Sequence, residues 1–386
     1  MVESLSLETV LGKRIHHADG FLSFADFMQA ALYEPELGYY ETTDVFGKEG
    51  DFVTGAELGP WLAYGFSDII SWGWQQLGQP SSWTLLEQGG GTGALMLAIL
   101  DILQTFPIAM PDRVIAVETS AHMRERQKQA YAQSGINVIQ PASLDELDAM
   151  DSCLMFCNEL PDAFPVRRFT YRQGELFERG VGIASGHFCW RDAQEVLHDG
   201  PEIHADLMRA WPEGYISEWN PHLAAWQRQL GRIIHKGYVF CVDYGYSQQE
   251  YYRPQRVEGT LLAHYRHQTS EDVLRDPGHC DITAHVDFTT LAHLGAQSGL
   301  QPTCFMSQGG WLAQSPLVQT RLQQLAASGS VNAVRDLAHA KRMLMPSGMG
   351  ETFKLLIQHC SAGDELPPFL SQFNRLHDLN TLVSTA

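Results

Sequence analysis

The stretch WTLLEQGGGTG, residues 83–93, constrains this chain more than any other. A short, mostly apolar run ends on the carboxylate Glu87, four glycines fall within the next six residues, and an apolar helical pattern opens at Ala94. A chain that turns this tightly needs backbone without Cβ atoms, either to reach left-handed conformations or to let a ligand approach the main chain. A strand, a glycine loop and a helix in that order point to a parallel sheet, because parallel strands need a crossover to return the chain.

The same alternation continues downstream. Residues 113–118 (RVIAVE) form a second strand that again ends on a carboxylate, Glu118, and Ser120 caps a helix reaching about residue 133. Further strands are expected over 137–140, 153–158 and 238–243, and two more over 301–306 and 352–358. Upstream, Phe24, Phe27, Met28, Ala31 and Leu32 fall on one helical stripe, and a second helix covers 62–77. Residues 166–192 alternate like antiparallel strands around the turn signals Gln173-Gly174 and Ser185-Gly186, and 311–345 reads as helical. A pair of strands after a five-strand parallel run suits the Rossmann-like α/β sheet of class I methyltransferases: seven strands, mostly parallel, with the last antiparallel. We therefore expect a helical and lid region over residues 1–80 and a catalytic domain over 81–386, with insertions near 166–235 and 311–345.

The glycine loop alone leaves two ligand chemistries open. Read from Glu87 it is E-x-G-x-G-x-G, the form in which the carboxylate helps hold the cationic amino-acid end of S-adenosyl-L-methionine; read from Gly89 to Ala94 it is a dinucleotide pattern. Glu118 lies 29 residues after Gly89, rather than the ~20 expected for the acid that binds a nicotinamide ribose. The cofactor expected is S-adenosyl-L-methionine, held by Glu87, Gly89, Gly91, Gly93 and Glu118. A tight turn with no ligand is the bland alternative.

Several segments in order make the chain resemble the MidA family: LYEPELGYY (32–40), GDFVT (50–54), the glycine loop, NELPDAFP (158–165), VDYG (242–245), DITAHVDF (281–288) and MGETFK (349–354). This family comprises bacterial relatives of the mitochondrial complex I assembly factor that acts as a protein arginine methyltransferase. The resemblance implies arginine methylation on a protein acceptor, with a complex I subunit as the substrate class. Two departures loosen the backbone without removing a functional side chain. Residues 54–57 read TGAE where the family usually has a proline, and residues 89–91 are all glycine where it often has Gly-Pro-Gly.

Arginine methylation requires carboxylates, because a guanidinium stays protonated and must be held in its plane while it gives up a proton. Asn158-Glu159 follows the fourth strand at the edge where open α/β sheets bind ligands. Glu159 is the first choice for the catalytic carboxylate and Asp162 the second, with Asn158 holding acceptor or cofactor. Glu159 could instead cap the next turn or pair with Arg167 or Arg168. Asp243 and Tyr244 end the fifth strand at the same edge, and Asp281, His285 and Asp287 form a second polar cluster, in which a structural role for His285 is favoured over a general base. Tyr39, Asp51, Asp243, Tyr244 and His285 are the candidate substrate contacts. Thr54 joins the cofactor set if residues near Gly47 and Gly50 hinge a lid, the alternative being an ordinary surface loop. His279 with Cys280, like His264 with His267, matches no standard zinc spacing, so no metal is expected.

A formal charge of −19 argues against nucleic acid and favours a basic or arginine-containing protein partner. No apolar stretch approaches the ~18 residues of a spanning helix. The first residues carry no leader pattern, and the seven cysteines include no C-x-x-C pair. A cytoplasmic chain with reduced thiols is expected, with self-association left open. The rival functions are a cofactor-binding assembly chaperone with little catalysis, a nicotinamide oxidoreductase and a methyltransferase acting on a small molecule.

Overall fold

The computed structural model describes residues 6–42, 60–265 and 268–382. Its central sheet contains β1 (Thr84–Gln88), β2 (Arg113–Val117), β3 (Cys153–Asn158), β4 (Gly237–Tyr246), β5 (Gln301–Ser307) and β6 (Phe353–Cys360), in the spatial order β5-β6-β4-β3-β1-β2. The β2/β1, β1/β3 and β3/β4 pairs are parallel, whereas β6 runs antiparallel to both its neighbours, β4 and β5. A two-residue strand, Val286–Asp287, pairs with the end of β4 and completes a seven-stranded sheet. This is the Rossmann-like methyltransferase sheet, with its last strand antiparallel as expected.

One expected strand is missing from it. Residues 137–140 contribute a single bridge, Ile139 to Ile115, made by two backbone hydrogen bonds of 2.9 Å to the β2 residues Val114 and Ala116. Pro141 has no N–H with which to extend the ladder, and Ile139 lies 45% exposed at the sheet edge.

Strand alternation explains why the sequence runs are apolar throughout. Leu154 and Phe156 of β3, with Tyr238, Phe240 and Val242 of β4, face one core; Met155, Cys157, Val239 and Cys241 face the other. The first core is covered by α4 (Trp61–Gln76) and α5 (Ala94–Leu103), and the Phe66 ring of α4 lies 5.2 Å from that of Phe156. Gly73 lets α4 approach closely, since a Cβ there would stand 3.0 Å from Leu154. The helices Leu223–Ile233 and Phe288–Gln297 cover the second core.

At the N-terminus, α1 (Leu7–His17), α2 (Phe24–Tyr33) and the short α3 (Tyr39–Thr42) form a separate core against a four-stranded antiparallel sheet. That sheet is ordered His187–Val196, Glu175–Ala184, Arg167–Arg172, Ile216–Trp219. Its two hairpin turns fall where the sequence placed them. Gln173-Gly174 and Ser185-Gly186 all have positive φ, the geometry of a two-residue turn that matches strand twist. In the 311–345 region three helices, Gln308–Gln314, Pro316–Ser328 and Val331–Leu344, stack beside α4, where Asp68 accepts the N–H of Leu317 at 3.0 Å.

Leu154 sits fully buried where α4 meets the sheet. Leu154→Ala leaves a cavity that this close-packed interface cannot collapse, so stability should fall by about 2–5 kcal/mol, read as a lower urea midpoint in equilibrium unfolding.

Candidate active site

The parallel strands β1, β2 and β3 end together, and a cleft opens beyond them between Gln88, Gly89 and Gly91, the β2 end at Val117-Glu118-Thr119, and Glu159-Leu160 after β3. Tyr33 and Tyr40, from α2 and α3, close its opposite side.

The glycine loop is left-handed at Gly89 (φ +71°), Gly91 (+52°) and Gly93 (+78°), the last being the cap of α5. At Gly90 the reason for glycine is contact instead: a Cβ would lie 2.4 Å from the Glu87 carboxylate, which folds back beneath the loop. From behind, α6 (Ala121–Ser134) holds the loop. Gln127 donates its side-chain N–H to the Gly91 carbonyl at 3.0 Å, and the Tyr131 ring leaves no space for a side chain at Gly93.

Glu87 is 2% exposed and its Oε2 has no hydrogen-bond partner among the described residues. Burial, with a smaller push from Glu118, raises its carboxyl to about 8. Glu118 lines the cleft and accepts the Ser120 N–H at 3.0 Å. Burial lifts it to about 7 against the lowering effects of that bond and of Arg124. A buried acceptor without a donor among the described residues, beside a loop where a Cβ at Gly89, Gly90 or Gly93 would clash, fits the cationic amino-acid end of S-adenosyl-L-methionine. The apolar walls of Leu160, Val117 and Met123 fit the rest.

On the other side of the cleft Glu159 has φ +53°, a conformation a non-glycine residue adopts at a cost of ~1–3 kcal/mol. Its N–H is held by the Val242 carbonyl at 2.9 Å, and Asn158 Nδ2 donates to its Oε1 at 3.1 Å, while Asn158 Oδ1 is buried without a partner among the described residues. No ion pair joins Glu159 to Arg167 or Arg168: Arg167 forks onto Glu178, and Arg168 donates to the Glu258 carbonyl.

Other expected residues fall elsewhere. Asp162 and Asp243 are buried together: Asp243 accepts the backbone N–H of Asp162 at 3.2 Å, and the Tyr244 hydroxyl donates to Asp162. Burial raises both, Asp162 to about 6. Asp243 and Tyr244, expected to touch substrate, are instead 0% and 7% exposed and form a floor beneath the Glu159 turn. Tyr39 is likewise closed into the N-terminal core with its ring edge on Tyr40, so Tyr33 and Tyr40 are the tyrosines that reach the cleft. Their hydroxyls donate to the Ala163 carbonyl and to Asp281.

The expected Asp281–His285–Asp287 cluster is dispersed. Asp281 binds Tyr40, Asp287 caps the helix Phe288–Gln297, and His285 is stacked on Tyr246 at 5.2 Å with its pKa driven down to about 4, chiefly by burial. His285 is therefore uncharged and packed among rings rather than set in the cleft. Asp51, Thr54 and the segment proposed as a lid lie outside the described residues. Among the described residues no group of three or more His, Cys, Asp or Glu is placed to hold a metal.

Gln88, Leu160, Tyr33 and the loop supports Gln127 and Tyr131 escaped the sequence reading. For the last two a signal exists: Met123, Gln127 and Tyr131 recur every four residues as the buried face of an otherwise polar helix.

The profile of a family described as S-adenosyl-L-methionine-dependent methyltransferases matches residues 69–306, more than half of the 386 residues. The chain belongs to this family. The methyltransferase is also similar to two mitochondrial proteins named protein arginine methyltransferase NDUFAF7 or its homolog. The Drosophila melanogaster protein is 27% identical over 87% of this chain and 81% of its own length, and the Danio rerio protein 26% over 87% and 83%. A crystal structure of a superfamily member from Burkholderia thailandensis, bound to S-adenosyl-homocysteine, superposes with a TM-score of 0.85 at 28% identity, covering 96% of both chains. The methyltransferase sheet, its cofactor and its enzymatic class thus agree with the reading of the glycine loop, and the nicotinamide alternative falls away.

Because burial raises Glu87 above its ordinary value of 4.5 to about 8, its contribution to folding is complete below that ordinary value. It is lost as pH rises through the folded value. The ligand-free methyltransferase should therefore weaken between pH 5 and 8, and Glu87→Gln should make that decline shallower in urea midpoints taken across the range. An unchanged slope would mean that Glu87 titrates normally.

Proposed function

We propose that this methyltransferase acts on an arginine of a protein acceptor, with Glu159 as the carboxylate that binds and deprotonates the guanidinium. The observation that carries the reading is Glu159 itself, a non-glycine residue kept in a left-handed conformation at the cleft wall, with its carboxylate fixed by Asn158. Strain at a residue that glycine could occupy without cost is retained where the side chain has work that no other conformation allows. The names of the NDUFAF7 relatives support the acceptor class, and a complex I subunit remains the candidate that the family resemblance supplies.

When bound, the cofactor supplies an electrophilic methyl group on a sulfonium. Glu87 is assigned to its ammonium end, Glu118 to its ribose hydroxyls, and Gly89, Gly91 and Gly93 to the space its backbone approach requires. Glu159 holds the guanidinium plane through paired N–H···O contacts, which leaves one nitrogen to attack the methyl carbon as the carbon–sulfur bond breaks. The proton displaced from that nitrogen passes to the Glu159 carboxylate. Asn158 keeps the carboxylate in one orientation throughout. Asp162, Asp243 and Tyr244 act from below by fixing the 159–163 turn, since none of them opens into the cleft. Leu160, Tyr33 and Tyr40 limit water at the reacting atoms.

Glu159→Gln keeps the shape of the side chain but removes its charge and basicity. Methyl transfer to protein should fall by about 10²–10⁴-fold with S-adenosyl-homocysteine affinity unchanged, measured by tritium incorporation and calorimetry. Retained transfer by Glu159→Gln would sink the assignment, and normal assembly of respiratory complexes with the inactive variant would favour the chaperone alternative. Glu159→Gly should be inactive as well, yet at least as stable to heat as the native chain, because it relieves the backbone.

A further inference from the structure

The segment LYEPELGYY, residues 32–40, joins α2 to α3 by a turn with little freedom. The N–H groups of Leu37 and Gly38 both donate to the Glu34 carbonyl, at 3.1 and 2.7 Å, and a Cβ on Gly38 would stand 2.6 Å from the Glu34 nitrogen. Glu36 takes φ +64° within the turn. Tyr33 and Tyr40 are thereby brought together as stacked rings, 5.5 Å apart and inclined by 26°, with Tyr39 edge-on to Tyr40 at 5.3 Å.

Each of the stacked tyrosines is tied to a different side of the donor cleft. The Tyr33 hydroxyl donates to the Ala163 carbonyl at 3.0 Å, at the end of the turn that begins with Glu159. The Tyr40 carbonyl accepts the Ser120 hydroxyl at 2.9 Å, and Ser120 gives its own N–H to Glu118. The Tyr40 hydroxyl is given to Asp281 at 2.9 Å. Tyr33 also lies where this cleft meets a second opening beside the helix Leu223–Ile233, a position it shares with Gln88, Thr119 and Leu160. The pair therefore runs from the turn of Glu118, assigned to the donor, to the turn of Glu159, assigned to the acceptor. Other ties of the Glu159 turn lead elsewhere: Asn220 donates to the Pro161 carbonyl at 3.2 Å, and the Ala284 N–H to the Asp162 carbonyl at 3.0 Å.

We infer that Tyr33 is a positioning residue, which through its stack on Tyr40 and its bond to Ala163 sets the distance between the Glu159 carboxylate and the bound donor. The inference rests on the reading of Glu159 above and adds what fixes the reach of that carboxylate. Donor and acceptor groups stand on separate strand ends, so their spacing depends on what spans the cleft, and methyl transfer is sensitive to a misplacement of about 1 Å. A ring stack alone allows offsets, whereas the hydroxyl on a carbonyl fixes direction and distance together.

The test uses the whole enzyme as wild type, Tyr33→Phe, Glu159→Gln and the double variant. Tyr33→Phe keeps the stacked ring and deletes only the hydroxyl. Tritium transfer from S-adenosyl-L-methionine to a protein extract from cells lacking the gene is followed over a range of donor concentrations. Calorimetry gives the affinity for S-adenosyl-homocysteine, and hydrogen exchange over residues 159–164 is read in the ligand-free protein. Tyr33→Phe should lower the maximal rate by about tenfold or more, with the donor KM and S-adenosyl-homocysteine affinity within about threefold of wild type, and should speed exchange over 159–164. On the Glu159→Gln background the same change should lower the residual rate by less than about twofold, because both act through one group. An unchanged rate or unchanged exchange in Tyr33→Phe would overturn the inference while leaving the reading of Glu159 intact. So would a full tenfold loss added to that of Glu159→Gln, or a matching loss of S-adenosyl-homocysteine affinity, which would place Tyr33 in donor binding. Retained transfer by Glu159→Gln would overturn the reading of Glu159 and this inference with it.

Discussion

A carboxylate closed into the end of β1, with no cation beside it among the described residues, is the constraint around which the donor side of this molecule is arranged. Glu87 is almost wholly buried, and Glu118 adds repulsion from the neighbouring strand end. The isolated charge is costly enough that the group holds its proton at neutral pH. Gly90 can only be glycine over that carboxylate, and the left-handed turns at Gly89, Gly91 and Gly93 follow from bringing the chain over it and directly into α5. Gln127 and Tyr131 then support the loop from behind, so the geometry is fixed by packed helices and strands. A cationic group entering the cleft removes the penalty that the fold has left standing.

The acceptor side is organised on a different principle. There the conformational cost is in the backbone of Glu159, and beneath it burial raises the carboxyl groups of Asp162 and Asp243, the latter with a further push from Asp162. Two carboxyl groups in one buried site favour a shared proton over two charges. With the Tyr244 hydroxyl given to Asp162, and Asp243 accepting the Asp162 N–H, the pair cross-links the base of the turn. Among the described residues of this turn Glu159 is consequently the carboxylate that lines the cleft, and Asp162 with Asp243 of the neighbouring strand serve to hold it there.

Much of this was legible in the sequence because it rests on local rules. The glycine loop, the carboxylates ending β1 and β2, the Ser120 cap and the two hairpin turns each follow from conformational limits of single residues and short runs. What was not legible depends on which side chain reaches which across the fold. Tyr39 and Tyr40 are adjacent and chemically alike, yet one is closed into the N-terminal core and the other lines the cleft, a choice set by how α3 packs against α6. Asp243 and Tyr244 sit at the expected strand end, but the partner that covers them, Asp162, arrives from the short turn after β3. The strand expected at 137–140 has the right apolar residues and lacks only the N–H that Pro141 cannot give.

The division of labour between sheet and additions explains why the chain is longer than its sheet requires. The sheet and its glycine loop define the donor cleft and would do so for any acceptor. The remaining walls of the clefts come from outside that frame: Tyr33 and Tyr40 from the N-terminal helices, and His222 and Trp226 at the helix that follows the antiparallel strands. Hydrogen bonds from Trp226 to Gln88 and from Ser120 to the Tyr40 carbonyl are among the ties between these additions and the sheet. Both bonds end on elements that frame the glycine loop or the Glu118 turn, so the additions are tied to the strand ends at which the cleft opens.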